Sequence, residues 1–139
     1  MPDAREQFSE AADRAELGQN DEALALFLAL LKTDANNADV WNYIGIIRFR
    51  LGTYRDAVNA FGQATAIDPE FSSAWFNRSL ALVRLGKETE ALRALDKVLG
   101  LNPCDNEALS QRALIVGTLA REGEKKKPGP EPVQSQLRV

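Results

Sequence analysis

Apolar, small and helix-breaking positions recur along this chain at an interval of 34 residues. The stretch from Ala38 to Phe71 carries Trp41, Gly45, Gly52, Tyr54, Ala57, Phe61, Ala64 and Pro69. One interval downstream stand Trp75, Ser79, Gly86, Glu88, Ala91, Leu95, Val98 and Pro103; one interval upstream stand Gln7, Ala11, Gly18, Asn20, Ala23, Phe27, Leu30 and Ala35. A fixed period of this size marks stacked supersecondary units, each burying its apolar face against the next.

Within each unit the apolar residues fall three and four apart, which is the spacing of one helix face. The pattern predicts a first helix over about Ala4–Leu17, closed at Gly18, and a second over Asp21–Lys32, with Asp34 to Asn37 as the turn. The middle unit repeats this with helices at Asp39–Leu51 and Tyr54–Ile67, and the third with Ser72–Leu85 and Glu88–Leu101. A last helix over Asn106–Glu122 has no second helix after it. Leu109, Ala113, Val116 and Ala120 are read as the stripe that covers the flank of the preceding helix, because an open apolar end is not soluble. Residues 123–139 hold proline, glycine and charge without periodicity and are expected to be a disordered tail.

The pattern Trp41-x-x-Ile44-Gly45, followed by Ala57, Phe61, Ala64 and Pro69, resembles the tetratricopeptide repeat, a two-helix unit of 34 residues. The resemblance covers three units, 4–37, 38–71 and 72–105. It departs at Gln7, where an aromatic belongs, at Ala35 in place of proline, and at Arg78 in place of leucine. What it implies is an all-α, right-handed helical-repeat solenoid of three helix-turn-helix units plus a capping helix over 106–122, one domain spanning 1–122. It further implies that Gly45 and Ala57 lie where paired helices cross, with Trp41 and Phe61 filling the space between neighbouring units.

Composition narrows the chemistry. The chain has one cysteine, Cys104, and no histidine, so it lacks an internal disulfide as well as the commonest general base and metal ligand. There is no nucleophile–base pair, no phosphate-binding glycine loop and no metal-ligand spacing; an enzyme, a metal site and a cofactor are not expected. No apolar run is long enough to span a membrane, and the first residues do not read as a secretory signal. A reducing cytoplasm is the expected compartment. The net charge of −3 is too small to suggest nucleic acid as a partner. Its distribution runs from an acidic first unit to a mildly basic third unit and tail, where Lys125, Lys126 and Lys127 cluster.

The expected partner is a protein or peptide, and the expected role a binding module or scaffold. The resemblance places the first helix of each unit along a concave groove. The groove residues it implies are Phe8, Asn42, Tyr43, Ile46, Phe49, Arg50, Phe76, Asn77, Leu80 and Arg84, an apolar and aromatic floor with arginines at one rim. Asn42 and Asn77 are suited to hydrogen-bonding the backbone of a peptide. One subset of the family grips C-terminal carboxylates with Lys, Asn, Asn, Lys and Arg; the matching positions here are Phe8, Ala12, Tyr43, Ser73 and Asn77, none of them basic, so that clamp is not expected. A second expectation is a homodimer. Leu114, Ile115 and Leu119 occupy the face of the last helix that a missing second helix would cover, so pairing of two such faces is a natural resolution.

Overall fold

The computed structural model describes residues 2–122 and 136–139. Among the described residues seven helices follow one another: α1 (Ala4–Glu16), α2 (Asn20–Thr33), α3 (Ala38–Arg50), α4 (Tyr54–Ile67), α5 (Ser72–Arg84), α6 (Glu88–Leu101) and α7 (Asn106–Glu122). Each boundary falls within about two residues of the one that the periodicity predicts. The helices form an all-α, right-handed solenoid of three hairpins, α1–α2, α3–α4 and α5–α6, followed by α7. No helix among the described residues is long and apolar enough to cross a membrane.

The two kinds of turn alternate because two kinds of chemistry alternate. Within a hairpin the chain reverses at Gly18, Gly52 and Gly86, whose φ values are +77°, +80° and +74°. Their amides donate to Ala15, Phe49 and Val83, and the following residues donate back to Arg14, Arg48 and Leu82, which closes each helix in a Schellman turn. A Cβ at these positions would meet nothing within 4 Å, so the left-handed backbone rather than crowding calls for glycine. Between hairpins the carboxylates and amide of Asp34, Asp68 and Asn102 accept from the amides of Asn36, Glu70 and Cys104. Asp3, Asn37 and Asp105 then cap α1, α3 and α7 by accepting from the third amide of each helix.

Gly45 lies at a close crossing as the resemblance implies, but what it meets there is Phe61 of its own unit, a side chain expected between neighbouring units. Ala57 and Phe61 are fully buried, and a Cβ on Gly45 would lie 2.4 Å from the Phe61 ring. α3 and α4 therefore meet through a glycine against an aromatic. Trp41 and Trp75 are only half-buried. Each donates its indole N–H to the turn before its helix, Trp41 to the Ala35 carbonyl at 3.0 Å and Trp75 to the Pro69 carbonyl at 2.8 Å. The tryptophans thus pin the inter-unit turns as well as cover the units. Arg78, in the leucine position of the third unit, lies near Gly62 of α4, its Nε buried without a hydrogen-bond partner.

The core divides in two. One cluster joins α1, α2 and the outer part of α3 around Phe27, Val40 and Ile47; the other runs from Ile46 and Phe49 through Phe61, Phe76, Leu80 and Leu95 to Ile115 of α7.

The face that α7 buries differs from expectation. Ala108, Gln111, Ile115 and Thr118 are buried, and Leu119 packs against the second cluster. The expected covering stripe is the exposed one: Leu109 and Val116 are 44% and 43% exposed, and Ala113 and Ala120 are exposed beside them. The repeat register gives the reason. Ala108 and Ile115 stand one interval after Ala74 and Ala81, which face the preceding unit. Leu109 and Ala113 stand one interval after Trp75 and Ser79, on the side that faces a unit's own second helix. Among the described residues no such helix follows α7, so that side is open. The proposed self-association surface is accordingly corrected. Ile115 is 3% exposed within the chain's own core, leaving only Leu114, at 46%, in solvent.

The tail also departs from expectation at its end. Residues 123–135, with the lysine cluster, lie outside the described residues. Gln136 to Val139 are placed, against α3, α5 and the start of α7.

Candidate functional site

Stacking α3 beside α5 sets Asn42 and Asn77 next to each other, 1% and 0% exposed. Two buried primary amides need partners for four donor hydrogens and their oxygens. Asn77 satisfies Asn42 by donating from Nδ2 to its Oδ1 at 3.0 Å. The remaining partners come from the backbone of Arg138. Its amide donates to Asn77 Oδ1 at 2.6 Å. Its carbonyl accepts from Asn42 Nδ2 at 3.0 Å and from Asn77 Nδ2 in a second, shorter bond. Asn77 therefore holds both backbone groups of one residue, and Asn42 reinforces the carbonyl.

The Arg138 side chain enters a second, charged part of the site. Its guanidinium meets Asp105 through two parallel bonds, Nη1 to Oδ2 at 2.8 Å and Nη2 to Oδ1 at 3.0 Å. Such fork-on-fork geometry is the most directional pairing that arginine makes. Glu107 adds a longer contact at 3.8 Å, and the guanidinium carbon lies 3.5 Å from the centre of the Phe76 ring. The side chains of Arg138 and Asp105 are 19% and 13% exposed, so this pair is far less screened than the surface ion pairs around Arg14. Beside it Leu137 packs against the second core cluster.

Asp105 has two duties. It caps α7 through the Ala108 amide, and it receives Arg138. The hydrogen bonds from Arg138 hold its carboxyl below the ordinary 3.8, burial opposes this, and the Ala108 amide assists it. A carboxylate with a depressed pKa contributes to the contact at pH above its unpaired value and loses that contribution as the pH falls through the depressed one. The Arg138 contact is thus expected to persist at neutral and mildly acid pH and to release below the ordinary aspartate range. The Arg138 amide resonance, followed beside circular dichroism, measures this. Asp105→Asn should release Arg138 at neutral pH while keeping the cap. Asp105→Ala should release it and lose about 1 kcal/mol of cap as well. Equal melting temperatures for the two variants would count against the capping role.

Apart from the two arginines, the expected groove residues fall into three groups. Asn42, Asn77 and Phe76 come together at Arg138. Phe8, Tyr43 and Phe27 form a separate aromatic cluster, Tyr43 stacked on Phe27 at 4.9 Å and Phe8 set edge-on to both at 5.7 and 5.5 Å. Burial, then the charges of Glu16 and Asp39, raise the Tyr43 phenol above its ordinary value. Ile46, Phe49 and Leu80 belong to the second core cluster. Tyr43, Phe49 and Phe76 are 8%, 1% and 0% exposed, so the floor is packing between units rather than a row of open rings.

The arginines of the expected rim are also engaged. Arg50 donates to the Ala15 carbonyl at 2.9 Å, closing the end of α1. Arg84 lies over Tyr54 at 4.5 Å and over Phe49 at 5.8 Å.

Asp105, Glu107, Leu137 and Arg138 were not among the expected site residues. Asp105 reads as turn chemistry and the others as a helix start and a tail. The one signal available is that Leu137-Arg138-Val139 sets apolar residues around a cation at the end of an otherwise polar segment. Among the described residues no group of acidic, cysteine or histidine side chains is arranged to hold a metal ion.

Three two-helix units stacked in register, with the first helices lining one face, define a helical-repeat solenoid. The tetratricopeptide repeat family model matches residues 8–54 and 45–106, and the chain belongs to that family. Among solved structures it is similar to the first tetratricopeptide domain of Spaghetti (RPAP3) bound to the HSP90 peptide SRMEEVD. Identity is 25% and the TM-score 0.81, over 84% of this chain and 93% of that one. The second such domain of human RPAP3, in complex with an HSP70 peptide, is 23% identical, with a TM-score of 0.77 over 81% and 94%. The type III secretion chaperone SycD of Yersinia enterocolitica, in complex with a peptide of the translocator YopD, is 19% identical, with a TM-score of 0.77 over 86% and 94%. The latter two likenesses concern the fold. No curated protein matches the sequence.

Proposed function

We propose that the chain is a non-catalytic protein–protein interaction module that holds a peptide segment across α3, α5 and the start of α7. The observation that carries this reading is the pair Asn42 and Asn77 gripping the backbone amide and carbonyl of a single residue. Backbone groups are common to every peptide, so the pair supplies affinity while neighbouring pockets supply selectivity. Family membership supports the same reading, as does the RPAP3 domain, which is solved with a peptide bound. The exposed thiol of Cys104 suits a reducing cytoplasm.

The test begins by vacating the face with Arg138→Glu, which sets a carboxylate against Asp105. A displayed random heptapeptide library is then selected on the folded full chain. Enriched peptides are expected to lose binding when Asn42 and Asn77 are both changed to Leu, a nearly isosteric replacement that leaves neither amide orphaned. Enrichment that is indifferent to the double change, or no enrichment, rejects the reading.

A further inference from the structure

The segment that occupies this face is the chain's own, and its chemistry identifies what the face selects. We propose that Gln136–Val139 is a tethered ligand that holds the site closed, and that the partner which displaces it is a peptide presenting arginine to Asp105 and Glu107. This rests on the groove-binding reading above and adds to it the class of ligand and the means of regulation.

Two features select arginine at this point, and a third favours a cation. Asp105 offers its two carboxylate oxygens to two different guanidinium nitrogens, a pairing that a lysine ammonium cannot match. The guanidinium carbon lies over the Phe76 ring, 3.5 Å from its centre, adding a face that favours a planar, weakly hydrated group. Glu107 supplies a second negative charge at the rim. None of these contacts suits an acidic segment. The peptide SRMEEVD, which the RPAP3 domain binds, carries three acidic residues beside its one arginine, whereas the segment Gln136–Val139 carries the cation without acidic neighbours, and the absence of basic residues at Phe8, Ala12, Tyr43, Ser73 and Asn77 agrees. The acidic first unit extends the same preference along the solenoid.

The tether explains why so short a contact is made. Four placed residues would bind weakly as a free peptide, but thirteen residues, 123–135, join them to α7. A short covalent link presents the segment at an effective concentration on the order of millimolar. An incoming peptide therefore competes with an occupant always at hand, and only one that exceeds this local concentration or affinity opens the site.

The probe is a labelled synthetic peptide, VQSQLRV, with the sequence of residues 133–139, titrated into the full chain by fluorescence anisotropy. Arg138→Glu, which frees the face, is expected to bind the probe at least about tenfold more tightly than wild type. Adding Asp105→Asn to that variant, or replacing the probe's arginine by alanine, should weaken binding by a similar factor. Equal affinity of wild type and Arg138→Glu overturns the inference, as does a probe indifferent to Asp105 or to its own arginine. The side-chain amide resonances of Asn42 and Asn77 provide a second readout. They should shift in Arg138→Glu and be unchanged on dilution of wild type. Dilution-dependent shifts would assign the segment to a second copy and overturn the tethered arrangement. Peptides from the library that bind through Asn42 and Asn77 without arginine would overturn this inference while leaving the interaction module standing.

Discussion

Phe61→Ala is expected to lower the stability of the chain by about 3–5 kcal/mol, the usual cost of removing a buried aromatic ring. Phe61 is 0% exposed and belongs to the cluster that runs from α3 to α7. It sits on the second helix of the middle unit, and α4 packs against both α3 and α5. Because each repeat is stabilised mainly by its neighbours, a cavity here weakens two interfaces together. A domain of this size has only about 5–15 kcal/mol to lose, so the variant should sit near the edge of folding. Urea unfolding followed by circular dichroism measures the loss. A change below about 1 kcal/mol would mean that the helices close over the space left by the ring.

Gly45→Ala tests the same contact from the other side, and there the sign is informative. In an exposed helix interior, exchanging glycine for alanine stabilises by roughly 1 kcal/mol. At position 45 the new Cβ would lie 2.4, 2.5 and 2.8 Å from three atoms of the Phe61 ring. The ring is enclosed and cannot swing aside, so overpacking of about 1–3 kcal/mol should outweigh the helix gain. Gly62, one helix away in α4, is the control: its Cβ would meet only Arg78 Nε, at 3.8 Å. Gly62→Ala is therefore expected to be neutral or stabilising. Combining Gly45→Ala with Phe61→Leu should cost less than the sum of the two single changes, because the smaller side chain admits the methyl. Additive costs, or a stabilising Gly45→Ala, would show that the helices separate freely at this crossing.

That Gly45, Ala57 and Phe61 are packing positions is legible in the sequence because a repeat states its packing more than once, whereas Phe61, expected between units, was set against Gly45 only by the tertiary structure. Gly45, Ala57 and Phe61 recur as Ser79, Ala91 and Leu95, so small and large positions can be aligned without knowing where the helices lie. The turns are legible for a local reason: Gly18, Gly52 and Gly86 need a backbone conformation that other residues rarely adopt. Asn42 and Asn77 are also within reach, since their place on first helices follows from the repeat.

Three-dimensional placement decided the rest. Leu109 and Ile115 are equally apolar, and helical spacing provides a stripe through either; only docking onto α6 chose the one with Ile115 and left Leu109 in water. Tyr43, Phe49 and Phe76 share the face of the first helices, but how deeply each is covered depends on neighbours from other units, and those contacts proved to be core. The arginine site lay furthest beyond the sequence. Asp105 and Arg138 are 33 residues apart and Asn77 and Arg138 are 61 apart, joined through a segment with no periodic pattern. Local propensity and periodicity act over a few turns of chain, and so the helices, turns and repeat register were determined by the sequence itself. A hydrogen bond between residues that far apart exists only once the solenoid has stacked Asn42 beside Asn77 and brought the start of α7 alongside, which is why tertiary structure alone assembled the site.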